Sequence, residues 1–154
     1  MDRKWWLEYA GRISGDFEFW TSSRSAAAVW KLNLVNSEPG GGVSKRKCWI
    51  KQGGNSGFQA VGLAMLFGAA RVILLGYDMG CNGEQKHWHP DHPTDLGNPL
   101  ERNFKAWREN FERMAREATV PIINATRQTA LKCFPRMDLE TCLAEPAAQR
   151  PRAA

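Results

Sequence analysis

Apolar and polar positions follow two different patterns, which meet near residue 48. Beyond that point, residues 48–50 and 71–76 are short apolar runs of the kind found in strands buried on both faces. Between them lies a run with helical character that ends at Gly68. Strand, helix and strand in this order predict one βαβ unit.

Before residue 48 the spacing is different. Residues 17–21 and 30–34 alternate apolar with polar side chains, which predicts two half-exposed strands. Residues 38–42 contain a proline and three successive glycines and therefore predict a loop.

The clearest helix is predicted to begin at Asn98, which can cap it, with Glu101 completing a capping box. Its apolar stripe, at spacings of three and four residues, consists of Leu100, Phe104, Trp107, Phe111, Met114 and Ala118. Such a stripe indicates core packing. A buried strand at residues 120–124 and a small helix at residues 138–144 follow. This alternation predicts an α/β fold with a mostly parallel sheet.

Length and composition limit the organisation of the chain. Its 154 residues predict a single domain over residues 1–144, followed by a Pro/Ala/Arg-rich tail at residues 145–154 that we expect to be flexible. Four cysteines without a CxxC pair, no signal peptide and no long apolar run favour a reducing cytoplasm and no membrane partner.

The chain carries a net charge of +5, which permits an anionic partner. Its basic residues are scattered, apart from the run 45–47 and Lys51, and we interpret most of them as a solvated face. This distribution favours a small anionic ligand over nucleic acid.

The turn after residue 50 is the strongest candidate site. A glycine-rich turn between a strand and a helix exposes backbone N–H groups at the positive end of a helix dipole, which favours a phosphate. The candidate nucleotide-binding residues are Gly53, Gly54, Asn55, Ser56 and Gly57. The turn matches neither GxGxxG nor a Walker loop. The alternative is that Ser56 and Gln59 form a capping box and bind nothing.

Tyr77 and Asp78 end the next strand and are expected beside this turn. Asp78 could accept a hydrogen bond from a ribose hydroxyl, and Tyr77 could stack or donate to a phosphate. An aspartate that merely opens a loop is an equally good interpretation.

The histidines form one cluster, and it reads HxHxDH over residues 87–92. The candidate metal ligands are His87, His89, Asp91 and His92, with Asp78 and Cys81 as additions. The string matches that of metallo-β-lactamase-like hydrolases, but here the strand ends at Gly76 and no further histidine follows, so no metal is strongly implied. General acid or base chemistry by one imidazole and a purely structural surface loop both stay open.

A family resemblance emerges from these residues. The segments 55–60, 63–69, 72–79 and 123–140 resemble a Rossmann-like set of bacteriophage proteins without an assigned function. More distantly, the sequence is similar to bacterial CMP-sialic acid sialyltransferases and to MptE-like hydroxymethylpterin diphosphokinases. The resemblance implies a three-layer Rossmann-like fold, nucleotide contacts at residues 55–57 with Asp78 nearby, and a bacterial host cytoplasm. It makes His92 the candidate general base and Asp78 a second catalytic candidate.

The same resemblance implies a first strand and a glycine-rich loop that this sequence lacks. Residues 1–6 look like the end of the family's second strand, so we expect an N-terminally shortened member, for which a homo-oligomer is plausible. Three functions are carried forward. They are a glycosyl or phosphoryl transferase acting on a nucleotide or nucleotide-sugar, a non-catalytic protein that sequesters a nucleotide signal against host defence, and a metal-dependent hydrolase.

Overall fold

The computed structural model describes residues 3–13, 15–81, 91–92 and 96–144. The helices are α1 (Arg3–Tyr9), α2 (Arg24–Trp30), α3 (Ser56–Leu66), α4 (Glu101–Glu117) and α5 (Leu139–Ala144), with a 3-10 turn at Ala10–Arg12. The strands are β1 (Trp20–Thr21), β2 (Asn33–Leu34), β3 (Asn36–Glu38), β4 (Trp49–Lys51), β5 (Val72–Leu74) and β6 (Ile122–Asn124). The predicted tail, residues 145–154, lies outside the described residues, and the single domain stays a prediction.

The ladders between the described strands are all parallel: β1 pairs with β2, β3 with β4, and β5 with β6. The short strands and the helices make this a mixed α/β protein. Strands β4 and β5, predicted as one βαβ unit, flank α3 in sequence, but no ladder joins them within the described residues.

One continuous segment links the first two ladders. The N–H groups of Asn33 and Val35 donate to carbonyls of the β1 region, while Asn36 to Glu38 pair with β4. The backbone groups of successive residues in an extended chain point to opposite sides. One set of residues in this segment therefore bonds to the β1 region and the other set to β4. It is therefore a shared strand between the N-terminal part of the chain and the strand that leads to the glycine turn.

The main core forms where α3 and α4 meet the β5–β6 pair. Phe111, fully buried, lies at its centre with ring centroids 4.9 Å from Phe58, 5.9 Å from Tyr77 and 6.0 Å from Phe134. The sequence-predicted stripe of α4 supplies the buried Phe104, Phe111 and Met114 to the interior, as amphipathic spacing requires.

The N-terminal segment corrects the sequence-based expectation. Residues 3–9 form a helix rather than the end of a strand. Trp5 and Tyr9 stand four residues apart, so a helix places them on one face, with ring centroids 5.2 Å apart. Trp6 is 4% exposed and packs against Trp30 and Phe19. Burying these aromatic rings stabilises the helical form.

The strand predicted at residues 30–34 is also only partly correct. Ser23 caps α2 by accepting a hydrogen bond from the Ala26 N–H, and the helix runs through Trp30 before Lys31 ends it at a φ of 53°. The alanine-rich run after Ser23 has high helix propensity, and this outweighs the short alternation. Only Asn33–Leu34 remains a strand.

Candidate functional site

The glycine turn joins β4 to α3 in the predicted order. Gly53 and Gly54 have φ values of 58° and 83°, in the left-handed region that favours glycine. The cap of α3 is Asn55, whose Oδ1 accepts a hydrogen bond of 2.8 Å from the Phe58 N–H. The cap is therefore Asn55 rather than the predicted Ser56, and the Gln59 side chain does not complete the predicted capping box.

Gln59 ties the turn to its surroundings instead. Its Nε2 donates to the Gln52 carbonyl at 3.2 Å, and its Oε1 accepts from the Ser22 hydroxyl at 3.2 Å. The N–H groups of Ser56 and Gly57, in the first turn of α3, have no hydrogen-bond partner among the described residues. Two donors at the positive end of an eleven-residue helix favour an anionic group.

Ser56 borders an open cleft of about 590 Å³, whereas Gly57 is not part of the described lining. Its lining comes from the turn, from α4 and from three more distant segments: Trp5, Ser22, Ser23, Gly54, Asn55, Ser56, Gln59, His92, Leu96, Gly97, Asn98, Pro99, Asn103 and Trp107. His92 is the sole titratable side chain within this described lining, which otherwise offers hydroxyls, amides and two indoles. The cleft can therefore hydrogen-bond and stack a ligand but supplies one proton-transfer group.

His92 reaches the cleft through a link to the residues before α4. Its backbone N–H donates to Asn98 Oδ1 at 2.9 Å, and the residue is half-buried. Asn98 was predicted to cap α4. The helix instead begins at Glu101 after Leu100, whose N–H donates to Asn103 Oδ1 at 2.8 Å. The predicted cap thus holds the histidine segment, and Asn103 does the capping that was predicted for Glu101.

Tyr77 lies behind the glycine turn rather than in the cleft lining. Its hydroxyl donates to the Gly57 carbonyl at 3.0 Å, and its N–H donates to Thr126 Oγ1 at 3.0 Å. Burial raises the pKa of the Tyr77 phenol above its usual value of 10.0. This side chain therefore supports the turn from the core side.

Removing the Tyr77 hydroxyl tests this support. Tyr77→Phe is expected to lower the free energy of unfolding by about 0.5–1.5 kcal/mol at neutral pH, since one hydrogen bond is lost. Because the unfolded phenol ionises first, the stability that the raised pKa contributes is present below about pH 10 and is lost above it, and the variant lacks this alkaline loss. Urea unfolding measures both. Tyr9→Phe is the matched control, since the Tyr9 hydroxyl has no hydrogen-bond partner in the described part of the chain. Equal stability of the two variants would contradict the assignment.

Asp78 lies in a different cavity, of about 1120 Å³, at the carboxyl ends of β5 and β6. There it shares the lining with Thr126, Arg127, Arg136 and Asp138. The Arg136 guanidinium is held by the Asn124, Thr126 and Arg127 carbonyls. The structure does not bring Asp78 together with His92.

The predicted metal ligands are only partly visible. His87 and His89 lie outside the described residues, whereas Asp91 is exposed and His92 borders the cleft. Residues 3–13, 15–81, 91–92 and 96–144 contain no group of three or more His, Cys, Asp or Glu placed to hold a metal ion.

Several cleft residues were missed from the sequence. Trp107 was assigned to the core, yet it is half-buried and borders the cleft, where a Cβ at Gly54 would lie 2.8 Å from its Nε1. Asn103 and Trp107, four residues apart on α4, share one face, and this spacing was the available signal. Trp5 and Ser22 come from distant segments, so local sequence gave no signal for them.

Fold and site together define a mixed α/β protein with parallel strand pairs and an aromatic-walled cleft at the start of α3. No protein-family model, no curated protein and no solved structure matches the chain. Among the described helices none combines the length and the apolar character that crossing a bilayer requires.

Proposed function

We propose that the chain binds a nucleotide or nucleotide-sugar in the cleft at the start of α3. The observation that carries the proposal is that two indoles, Trp5 and Trp107, line one cleft together with Ser56, the first residue of α3. A volume of about 590 Å³ lies within the range of small-molecule sites. An aromatic face for a base beside an anion-binding helix start suits both halves of a nucleotide.

In this proposal the phosphate accepts hydrogen bonds from the Ser56 and Gly57 N–H groups, and the base stacks on an indole. The hydroxyls of Ser22 and Ser56 and the amide of Asn103 are available to the sugar. Asn55 Nδ2, buried and without a hydrogen-bond partner among the described residues, adds a donor at the same place. Gly53, Gly57 and Tyr77 shape the turn.

A transferase is the catalytic version of the proposal. His92 would take the proton from an acceptor hydroxyl, whose oxygen would form the new bond to the sugar or phosphorus. The nucleotide would leave with the bonding electron pair, and the start of α3 would stabilise its charge. Asp78, predicted as a second catalytic residue, lies in the other cavity, so this version rests on His92 alone.

A non-catalytic protein that sequesters a nucleotide signal is the second candidate. The observation in its favour is that His92 is the only titratable side chain in the described lining of the cleft. Binding without turnover needs no acid–base pair. His92→Ala distinguishes the two candidates, because it abolishes transfer by an enzyme but leaves the affinity of a sequestering protein within about threefold.

The finer fold assignment belongs to the same proposal. A Rossmann-like three-layer arrangement is supported by the parallel ladders and by the strand, helix and strand order from β4 to β5. Membership of the phage-type set, with its distant likeness to sialyltransferases and MptE-like enzymes, stays a prediction. The homo-oligomer and the bacterial cytoplasm stay predictions as well.

The test is native mass spectrometry of the purified chain against a panel of nucleotides, nucleotide-sugars and cyclic or ADP-ribose-type signals. We expect Ser56→Trp to weaken binding of the selected ligand at least about 10-fold, since blocking the N–H donors forfeits charge-assisted hydrogen bonds. Ala28→Trp adds the same indole at an exposed position of α2 outside the cleft and is the matched control.

Retained affinity in a folded Ser56→Trp variant would place the ligand elsewhere. Equal weakening by Ala28→Trp would point to a general disturbance of the fold. No binding by the parent chain to any member of the panel would overturn the proposal and leave the turn as a helix cap.

A further inference from the structure

The loop of residues 44–49, here called the basic loop, carries cations that the cleft does not use. Residues 45–48 are all exposed, and Lys45, Arg46 and Lys47 follow one another. None of these three cations forms an ion pair within the described residues, where the ion pairs are Arg12–Glu8, Lys51–Glu38 and Arg108–Glu101. The basic loop is therefore a concentrated positive charge whose three cations are free of ion pairs within the described residues.

Two carboxylates beside the basic loop accept hydrogen bonds from groups other than its three cations. Glu38 accepts a 2.9 Å hydrogen bond from the Ser44 hydroxyl and pairs with Lys51 Nζ at 3.0 Å, and these contacts lower the pKa of its carboxyl. Glu117 Oε2 accepts from the Val43 N–H at 2.7 Å. An external anion therefore meets exposed cations rather than preformed ion pairs.

Arg46 is held in a defined position. The centre of its guanidinium lies 3.5 Å from the ring centroid of Trp49, a close cation–π contact. The turn beneath it is closed by the Trp49 N–H, which donates to the Arg46 carbonyl at 3.2 Å, and by the Arg46 N–H, which donates to Ser44 Oγ at 3.2 Å. The exposed residue thus presents a planar guanidinium, a surface on which unpaired bases stack.

A cavity of about 330 Å³ adjoins this guanidinium. Its lining combines the apolar side chains of Val43, Ile50, Met65 and Leu66 with the cations of the basic loop. Apolar and cationic groups side by side suit a flat base joined to a phosphate.

We propose that the basic loop binds single-stranded nucleic acid, with backbone phosphates on Lys45 and Lys47 and an unpaired base against Arg46. Single strands expose both phosphates and base faces, whereas a duplex encloses its base faces and an acidic peptide lacks them. The sequence alone favoured a solvated face because it does not show the turn that places the Arg46 guanidinium over the Trp49 ring. The cavity beside the basic loop and the proposed nucleotide cleft share no described lining residue, so the two sites are independent.

The experiment is fluorescence anisotropy with labelled oligothymidine and oligouridine of about 12 nucleotides at increasing salt. The two cations on phosphates, Lys45 and Lys47, predict a slope of log affinity against log salt of about −1.4. Arg46→Ala is expected to weaken binding about 10-fold. Arg46→Lys keeps the charge and the slope but loses most of the stacking. The double variant Lys45→Gln/Lys47→Gln is expected to reduce the slope by about 1.4, while the exposed pair Lys105→Gln/Lys132→Gln, with the same change of charge, leaves affinity unchanged.

Further binding measurements distinguish this proposal from its alternatives. An abasic oligonucleotide is expected to bind about 10-fold more weakly than oligothymidine, because it has no base to stack. Equal binding of the abasic strand, of polyglutamate or of duplex DNA would overturn the proposal in favour of unspecific charge attraction. Ser56→Trp is expected to leave oligonucleotide binding intact, and a loss would move the strand to the cleft. No binding by the folded parent chain at low salt would also overturn the proposal.

Discussion

Phe111→Ala is expected to lower the free energy of unfolding by about 3–5 kcal/mol. Phe111 is fully buried, and its ring contacts the rings of Phe58, Tyr77 and Phe134. Removing the ring forfeits the transfer free energy of its carbons and leaves a cavity between α4, α3 and the segment after β6. A loss of this size is a large share of the total stability of about 5–15 kcal/mol that is usual for a protein.

Urea unfolding followed by far-UV circular dichroism measures the effect. Phe67→Ala is the matched control, because Phe67 is 58% exposed and its described ring contact is with Trp20 alone. The control is expected to lose less than about 1 kcal/mol. Similar losses for the two variants would show that Phe111 is not the centre of the core.

The second large effect is expected at the glycine turn. A Cβ at Gly53 would overlap the Phe58 ring, which is fully buried and cannot move aside, and the φ of 58° disfavours any side chain. We expect Gly53→Ala to cost about 2–4 kcal/mol, the sum of the backbone penalty and of overpacking. If the turn relaxes instead, nucleotide binding in the cleft is expected to fall with it.

A substitution at Gly68 separates the backbone penalty from the cost of overpacking. It follows α3 with a φ of 83°, and a Cβ there would meet nothing within 4 Å. Gly68→Ala therefore carries only the backbone penalty, about 1 kcal/mol. Unfolding free energies of the two variants side by side give the cost of the contact with Phe58. Equal costs would contradict the geometry of the turn.

The sequence predicted the second part of the chain best. The spacing of Phe104, Phe111 and Met114 on α4, the strand β6 and the small helix α5 are all confirmed. In these segments burial directly determines the spacing of apolar residues, so the local sequence is enough to predict the secondary structure.

The first part of the chain was harder to predict. Helices α1 and α2 are only seven residues each, too short for a clear period, and they owe their stability to contacts between Trp6, Phe19 and Trp30. Such contacts join segments that are distant in sequence. The strands predicted in this part of the chain are therefore shorter in the structure or replaced by helix.

Part of the candidate site could likewise be predicted from local sequence, and part of it could not. The glycine turn and its helix were predictable because the φ values of Gly53 and Gly54 are local properties. The position of Asp78 was not, because the chain after β5 carries it to the cavity beside Arg136 and away from α3. Trp5 and Ser22 enter the cleft through the packing of the N-terminal segment, which no short motif encodes.

The shared strand at residues 33–38 couples the N-terminal segment to the strand that precedes the glycine turn. Its hydrogen bonds to the β1 region and to β4 belong to a single piece of extended chain. Loosening the tryptophan-rich helices at the N-terminus therefore removes the lateral support of the strand that precedes the glycine turn. Mutations at Trp6 thus act on the cleft in two ways, through the cooperativity of unfolding and through the adjacent Trp5, whose ring centroid lies 5.2 Å from that of Trp6 and which lines the cleft.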